Sequence, residues 1–107
     1  MLFRSNELRS KLESSDSDIV VKATIDLCEE FLIPRSELIE AENLLLKSIG
    51  IQSKQIGFRV ELQLGRLYEL LGENTRAIRF LRISAESPDA EIQKQSNDAI
   101  QRLESRS

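Results

Sequence analysis

Five arginines are the side chains best suited to chemistry in this chain, and that chemistry is recognition. Arg59, Arg66, Arg76, Arg79 and Arg82 all fall between residues 59 and 82. A guanidinium offers a planar fork of donors that matches the oxygens of a carboxylate or a phosphate two at a time. Arg76, Arg79 and Arg82 recur at three-residue spacing, which keeps them on one side of a helix. Residues 58–82 set these five against Glu61, Glu69 and Glu73, whereas residues 13–46 set nine acids against only Lys22 and Arg35. An acidic docking segment or an acidic protein surface is the partner expected for the arginines, and a plain solvated helix face is the alternative reading. The same asymmetry lets two copies pair as a homodimer, acidic half to basic half.

Nothing else in the chain assembles into a reaction centre. It has no histidine and one cysteine, Cys28. That excludes an imidazole general base, a thiolate–imidazole zinc site and an internal disulfide. Cys28 has no basic neighbour in sequence, and Glu29 and Glu30 raise its pKa, so it reads as a packing residue. The carboxylate pairs Glu29/Glu30 and Glu40/Glu42 have no nucleophile or metal-ligand pattern beside them and read as surface charge. Gly50 and Gly57 are isolated and form no phosphate-binding loop. The expectation is a non-catalytic protein with no cofactor and no metal.

Composition sets the frame. A chain of 107 residues is long enough for one core and one domain. With 40% hydrophobic and 31% charged residues it reads as a folded globular protein. Aromatic residues are only 5%, so leucine and isoleucine must carry the core, which suits helix-on-helix packing. A net charge of -3 argues against general affinity for nucleic acid or anionic membrane. The first residues lack the apolar stretch of a signal peptide, and no run of 18 apolar residues occurs. The cytoplasm is the expected compartment.

Apolar periodicity predicts an all-α chain with no sheet. A first helix over 2–13 presents Phe3, Leu8 and Leu12. A polar break at 14–18 supplies N-caps for a second helix over 17–32, which Ile33-Pro34 ends. Pro34 suits the first turn of a third helix over 35–49, whose Leu44-Leu45-Leu46 run predicts burial on two sides and which Gly50 stops. Residues 51–55 connect it, with Ser53 as a cap, to a fourth helix over 54–71 that ends at Gly72. Asn74 caps a fifth helix to 85. Ser87 and Pro88 open a sixth over 88–103, thinly apolar, like a lid on the end of a stack.

A repeat runs through these helices. Leu64-Gly65, Tyr68, Ala77, Leu81 and Ser84 are echoed by Leu27-Cys28, Phe31, Ala41, Leu45 and Ser48. The separation is 36 residues from Ala41 to Ala77 and 37 from Cys28 to Gly65, so the first copy holds one extra residue, expected in its turn at Pro34. Small residues let the two helices of a unit approach, and large ones fill the space between units.

This pattern resembles the tetratricopeptide repeat family. Residues 58–91 carry the Leu64-Gly65 pair, the aromatic Tyr68, the turn glycine Gly72, Ala77 and, one residue early, Pro88. They depart from it at Glu61, where the family favours a large apolar residue, and at Leu81, where an aromatic is common and Phe80 is adjacent. The copy over 17–52 is degenerate, with Cys28 for the glycine and Pro34 in the turn. The resemblance implies a short right-handed α-α superhelix, a solenoid of five to six antiparallel helices. It comprises an N-terminal helix (1–16), the degenerate repeat (17–52), the clearer repeat (53–87) and a capping helix (88–104). An ordinary helical bundle with similar small-residue contacts is the alternative architecture.

The resemblance also implies a scaffold that binds another protein in a concave groove. Lys22, Ile25, Asp26 and Glu29 would line it in the first unit, Arg59, Leu62, Gln63 and Arg66 in the second, and Gln93, Ser96 and Asn97 in the last helix. Some members clamp a partner's terminal carboxylate there with lysine and asparagine. Lys22 and Arg59 match the outer basic positions, but Leu62 and Arg66 stand at the central ones, so that clamp is not expected. The expected function is therefore an adaptor, scaffold or assembly factor. It would bind a partner through the groove (Lys22, Arg59, Leu62, Gln63, Arg66) or the arginine face (Arg76, Arg79, Arg82). The alternative is a nucleic-acid-binding or regulatory module using the arginines of 59–82.

Overall fold

Asp16 and Asp89 start two helices by the same device. Asp16 Oδ1 accepts from the N–H groups of Asp18 and Ile19 at 2.9 and 3.4 Å, and Asp89 Oδ1 accepts from Glu91 and Ile92 at 2.9 and 3.3 Å. Each aspartate is itself held by a serine two residues earlier: Ser14 Oγ and Ser87 Oγ accept the N–H of Asp16 and Asp89, both at 3.1 Å. Side-chain acceptors at these positions satisfy helix donors that have no partner within the helix. The last helix therefore begins at Ala90, with Asp89 as its cap, two residues beyond the start expected at Pro88.

A computed structural model describes residues 2–49 and 57–106. Its elements are α1 (Leu2–Lys11), α2 (Ser17–Leu27), a π-helical turn (Cys28–Leu32), α3 (Leu38–Ile49), α4 (Gly57–Leu70), α5 (Asn74–Ser84) and α6 (Ala90–Arg106). The described residues are all-helical, with no strand. The stop expected at Gly50, the cap at Ser53, the connection over 51–55 and the start of the fourth helix at Lys54 lie outside the described residues. So does the side chain of Phe3.

Two turns share one hydrogen-bond pattern. After the π-helical turn, the Glu37 N–H donates to Leu32 O at 2.8 Å and the Ser36 N–H to Ile33 O at 3.0 Å. After α4, the Glu73 N–H donates to Tyr68 O at 2.9 Å and the Gly72 N–H to Glu69 O at 3.1 Å. Both are Schellman closures, which need a left-handed residue at the turn. Gly72 supplies it at φ 78° and Ser36 at φ 60°. The left-handed step at Ser36 is why α3 starts at Leu38 and not at Arg35. The extra residue of the first copy is not in this turn. It lies upstream, where the Ile33 N–H reaches Cys28 O at 2.9 Å, an i→i+5 bond that takes one more residue than an α-turn. At the start of α5, Asn74 is the first helical residue, and the capping position belongs to Glu73, whose side chain makes no capping bond.

The helices alternate between two layers. α2, α4 and α6 contact one another in that order, and each helix also packs on its neighbours in sequence. α1, α3 and α5 are tied across the other layer by Arg9–Glu40 at 2.9 Å and Arg76–Glu42 at 4.0 Å. Contacts between α4 and α6 advance together along both helices, from Arg66–Gln95 to Glu69–Arg102, so these two run parallel. Leu27, Leu32 and Leu45 fill the centre of the first hairpin, and Leu64, Leu67 and Leu81 that of the second, all fully buried. Burying each such side chain stabilises the fold by about 2 kcal/mol. The radius of gyration is 13.6 Å, close to the roughly 13 Å of a compact domain of 100 residues.

Close approach is tightest between α4 and α5. A Cβ placed on Gly65 would lie 2.5 Å from Leu81 Cγ and 3.4 Å from Ala77 O. In the first hairpin, Cys28 keeps its side chain, and its Sγ lies 4.0 Å from Ala41 O. α3 is not buried all round. Leu45 is inaccessible, but Leu46 and Ile39 are 43% and 76% exposed. No partner helix covers that outer stripe among the described residues, because α1 and α5 flank α3 on either side and leave it open.

Candidate functional site

The five arginines divide between the two layers. Arg59 and Arg66 project from α4 toward the π-helical turn and α6. Arg59 pairs with Glu29 at 3.6 Å, and Arg66 donates to Gln95 Oε1. Arg76, Arg79 and Arg82 project from α5 in the other layer, on one side of the helix as their spacing predicts. Arg76 lies 3.4 Å from Glu73 and 4.0 Å from Glu42, with its guanidinium 5.2 Å from the centre of the Tyr68 ring. Arg82 pairs with Glu104 at 3.6 Å. Arg79 is exposed and has no ion partner among the described residues. It lines two shallow depressions. One, of about 490 Å3, runs past Gly72, Asn74 and Arg76, and the other, of about 400 Å3, past Thr75, Ile78 and Arg82.

The groove positions are less open than the resemblance implies. Leu62 and Gln63 are 4% and 2% exposed, and Ile25 and Ser96 are fully buried. The even-numbered helices stack closely enough to seal these side chains between them. Gln63 Nε2 donates to Glu29 Oε1 at 3.0 Å, so Glu29 ties the π-helical turn to α4 through both Gln63 and Arg59. Ser96 shares a hydrogen bond with Ser84 across α5 and α6. Lys22 is exposed and has no partner among the described residues. It stands beside α1, apart from Arg59 and the α5 arginines.

Polar pairs tie neighbouring helices together, and one of them uses Glu42, which the sequence reads as surface charge. The Tyr68 hydroxyl donates to Glu42 Oε2 at 2.7 Å, and the Tyr68 ring stacks on Phe80 with centroids 5.7 Å apart. Burial first, and then the Glu42 carboxylate, raise the Tyr68 pKa. Glu69 accepts from Arg102 Nε and an Arg102 terminal nitrogen at 2.9 and 2.8 Å, and from Arg106 at 3.3 Å. These bonds, Arg102 first, hold the Glu69 carboxyl below its ordinary range even though it is 15% exposed. The clamp joins α6 to α4.

Two groups have strongly shifted acidity. Burial, then Glu40 and Glu29, push the Cys28 thiol up to about 12, which leaves it protonated and inert. Burial alone pushes Glu61, half-buried on α4, up to about 7. Glu61 stands where the resemblance calls for a large apolar side chain, and that departure was the signal in the sequence for an acid within the packing. It has no nucleophile beside it. No group of three described His, Cys, Asp or Glu side chains could hold a metal ion. No helix among the described residues is long and apolar enough to cross a membrane.

A cleft of about 310 Å3 between α1 and α2 was not legible in the sequence. Leu8 and Ala23 form its floor, and Arg4, Lys11 and Lys22 stand around it. Its two walls come from separate helices, and neither wall is distinctive alone. Comparison with family models, curated proteins and solved structures found no match to this chain.

Proposed function

We propose that the chain is a non-catalytic protein-interaction module built from two tetratricopeptide-like hairpins, and that the outer face of α5 docks an acidic segment of a partner protein. The repeat reading is supported by the shared Schellman closure at Ser36 and Gly72 and by the matched small residues Cys28/Ala41 and Gly65/Ala77. The alternation of helices between two layers supports a short superhelix with α1 and α6 at its ends.

The observation that carries the docking reading is Arg79. Arg59, Arg66, Arg76 and Arg82 each meet a side chain of another helix, whereas Arg79 is exposed, unpaired among the described residues and flanked by two depressions. A guanidinium that the fold does not use is available for bidentate contact with a carboxylate. The sealed positions Leu62 and Gln63 turn the reading away from the groove.

Affinity capture from the native host tests this. The Arg79→Glu/Arg82→Glu variant should lose a partner that the wild type retains, while its far-UV dichroism is unchanged. A partner held equally by both proteins contradicts docking on α5. A salt-sensitive shift with RNA, abolished by the same variant, would assign the arginines to nucleic acid.

A further inference from the structure

The first and last helices are secured differently. α6 buries Ile92, Ser96, Ala99 and Leu103, and Glu69 of α4 clamps it through Arg102 and Arg106. α1 packs on α2, and of residues 4–11 Leu8 alone is buried. Arg4 ties α1 to Glu30 at 3.1 Å and Asp26 at 3.7 Å, and Arg9 ties it to Glu40 at 2.9 Å. Both arginines are exposed, so salt screens these pairs. The cleft of about 310 Å3 opens between α1 and α2 beside Leu8 and Ala23, whereas the α4–α5 contact leaves no room for a Cβ on Gly65. α2 does not need α1 for its own start, because Asp16 caps it and Ser14 holds Asp16.

We infer that α1 is a displaceable helix, which leaves α2 as a unit while the rest of the chain stays folded. Leu8 and two screened arginine contacts hold a helix of 10 residues, too short to stay helical in water by itself. Detached α1 therefore melts, hinges in the connection over 12–16 and uncovers Ala23 on α2. Rising ionic strength favours the open state, because it weakens the Arg4 and Arg9 pairs and leaves the apolar contacts of the other helices intact. The inference does not rest on docking at α5.

Native-state hydrogen exchange of the full chain, followed amide by amide in sub-denaturing urea, tests this. The amides of residues 8–11 should be at least about tenfold less protected than those of Leu64, Leu67 and Leu81, and should show a weaker urea dependence, because the opening exposes little surface. Raising salt from about 20 mM to about 0.5 M should lower α1 protection about threefold. Arg4→Gln/Arg9→Gln, changes at exposed positions, should lower it comparably at low salt and remove most of the salt response. Leu8→Ala should abolish α1 protection, and should cost Leu64, Leu67 and Leu81 no more protection than α1 itself had. Equal opening free energies and urea slopes in α1 and in α4–α5 would overturn the inference. A larger loss across α4–α5 in Leu8→Ala would overturn it as well. So would an unprotected α1 in the wild type, because no closed state would then exist.

Discussion

In the α4–α5 hairpin the left-handed turn residue is Gly72, and in the hairpin from α2 to α3 it is Ser36. Both turns close with the same pair of backbone bonds. At the close contact the second hairpin has Gly65 against Leu81, and the first has Cys28 beside Ala41. The first hairpin also absorbs one extra residue in a π-helical turn, and the second has none. The outward stripes differ as well: Ile39, Asn43 and Leu46 on α3 stand where Thr75, Arg79 and Arg82 stand on α5, 36 residues on. The difference shows that one turn closure accepts two residue sets. Closure depends on backbone bonds and on small residues between the helices, while the outer face is free to diverge.

That comparison breaks most sharply at the helix contact. Gly65→Ala forces a methyl into Leu81, and overpacking of this kind costs about 2 kcal/mol, net of the better helix propensity of alanine. Cys28→Ala removes only the sulfur from a site that already holds a side chain, and should cost about 1 kcal/mol or less. Urea denaturation midpoints of the two variants check the ordering. Equal losses would mean that the two contacts are equally tight.

The turns should respond in opposite directions. Gly72→Ser places a Cβ at φ 78° and should cost about 1 kcal/mol, whereas Ser36→Gly removes that strain at φ 60° and should gain about 0.5 kcal/mol. Thermal unfolding of both variants reads this directly. A loss of stability in Ser36→Gly would show that the serine side chain contributes something the closure does not require.

A smaller, pH-dependent contrast lies four residues before the close contact, where Glu61 corresponds to Thr24 of the first hairpin. The Thr24 hydroxyl donates to Val20 O at 2.9 Å and stays neutral. Glu61 is held neutral by burial up to about pH 7. Because its folded-state pKa is raised, its contribution is most favourable at acid pH and is lost as the pH rises through about 7. Glu61→Gln should therefore raise the melting temperature by about 3 °C at pH 8 and leave it unchanged at pH 4, the size being reduced by partial solvent access. An equal gain at both values would assign the effect to packing.

Much of this fold was legible in the sequence, because helix existence follows apolar spacing and small residues mark close contacts. Gly72 ended its helix as its type requires, and Gly65, Ala77, Cys28 and Ala41 proved to be packing positions. The place of the extra residue was not legible. A longer turn and a π-helical turn consume the same one residue, and Pro34 drew attention to the wrong one. Caps at Asp16 and Asp89 could be told from neighbouring serines only once the hydrogen bonds were visible. The candidate surfaces were legible in part. Three-residue spacing put Arg76, Arg79 and Arg82 together, but which of them the fold had already paired depended on Glu42 and Glu104, acids far away in sequence. The burial of Leu62 and Gln63 depended likewise on how α2, α4 and α6 stack.

Deleting one residue tests the relation between the hairpins most directly. Removal of Glu30 takes out the residue that the π-helical turn absorbs and brings the spacing from Cys28 to Ser36 into line with that from Gly65 to Gly72. The deletion should leave a cooperatively unfolding protein within about 1 kcal/mol of the wild type, the exposed Arg4–Glu30 pair accounting for part of that. Removal of Lys22 from the regular part of α2 rotates everything before it by a fraction of a turn and should cost more than about 3 kcal/mol. If deletion of Glu30 destabilises the chain as much as deletion of Lys22, the two hairpins are not one unit with an inserted residue.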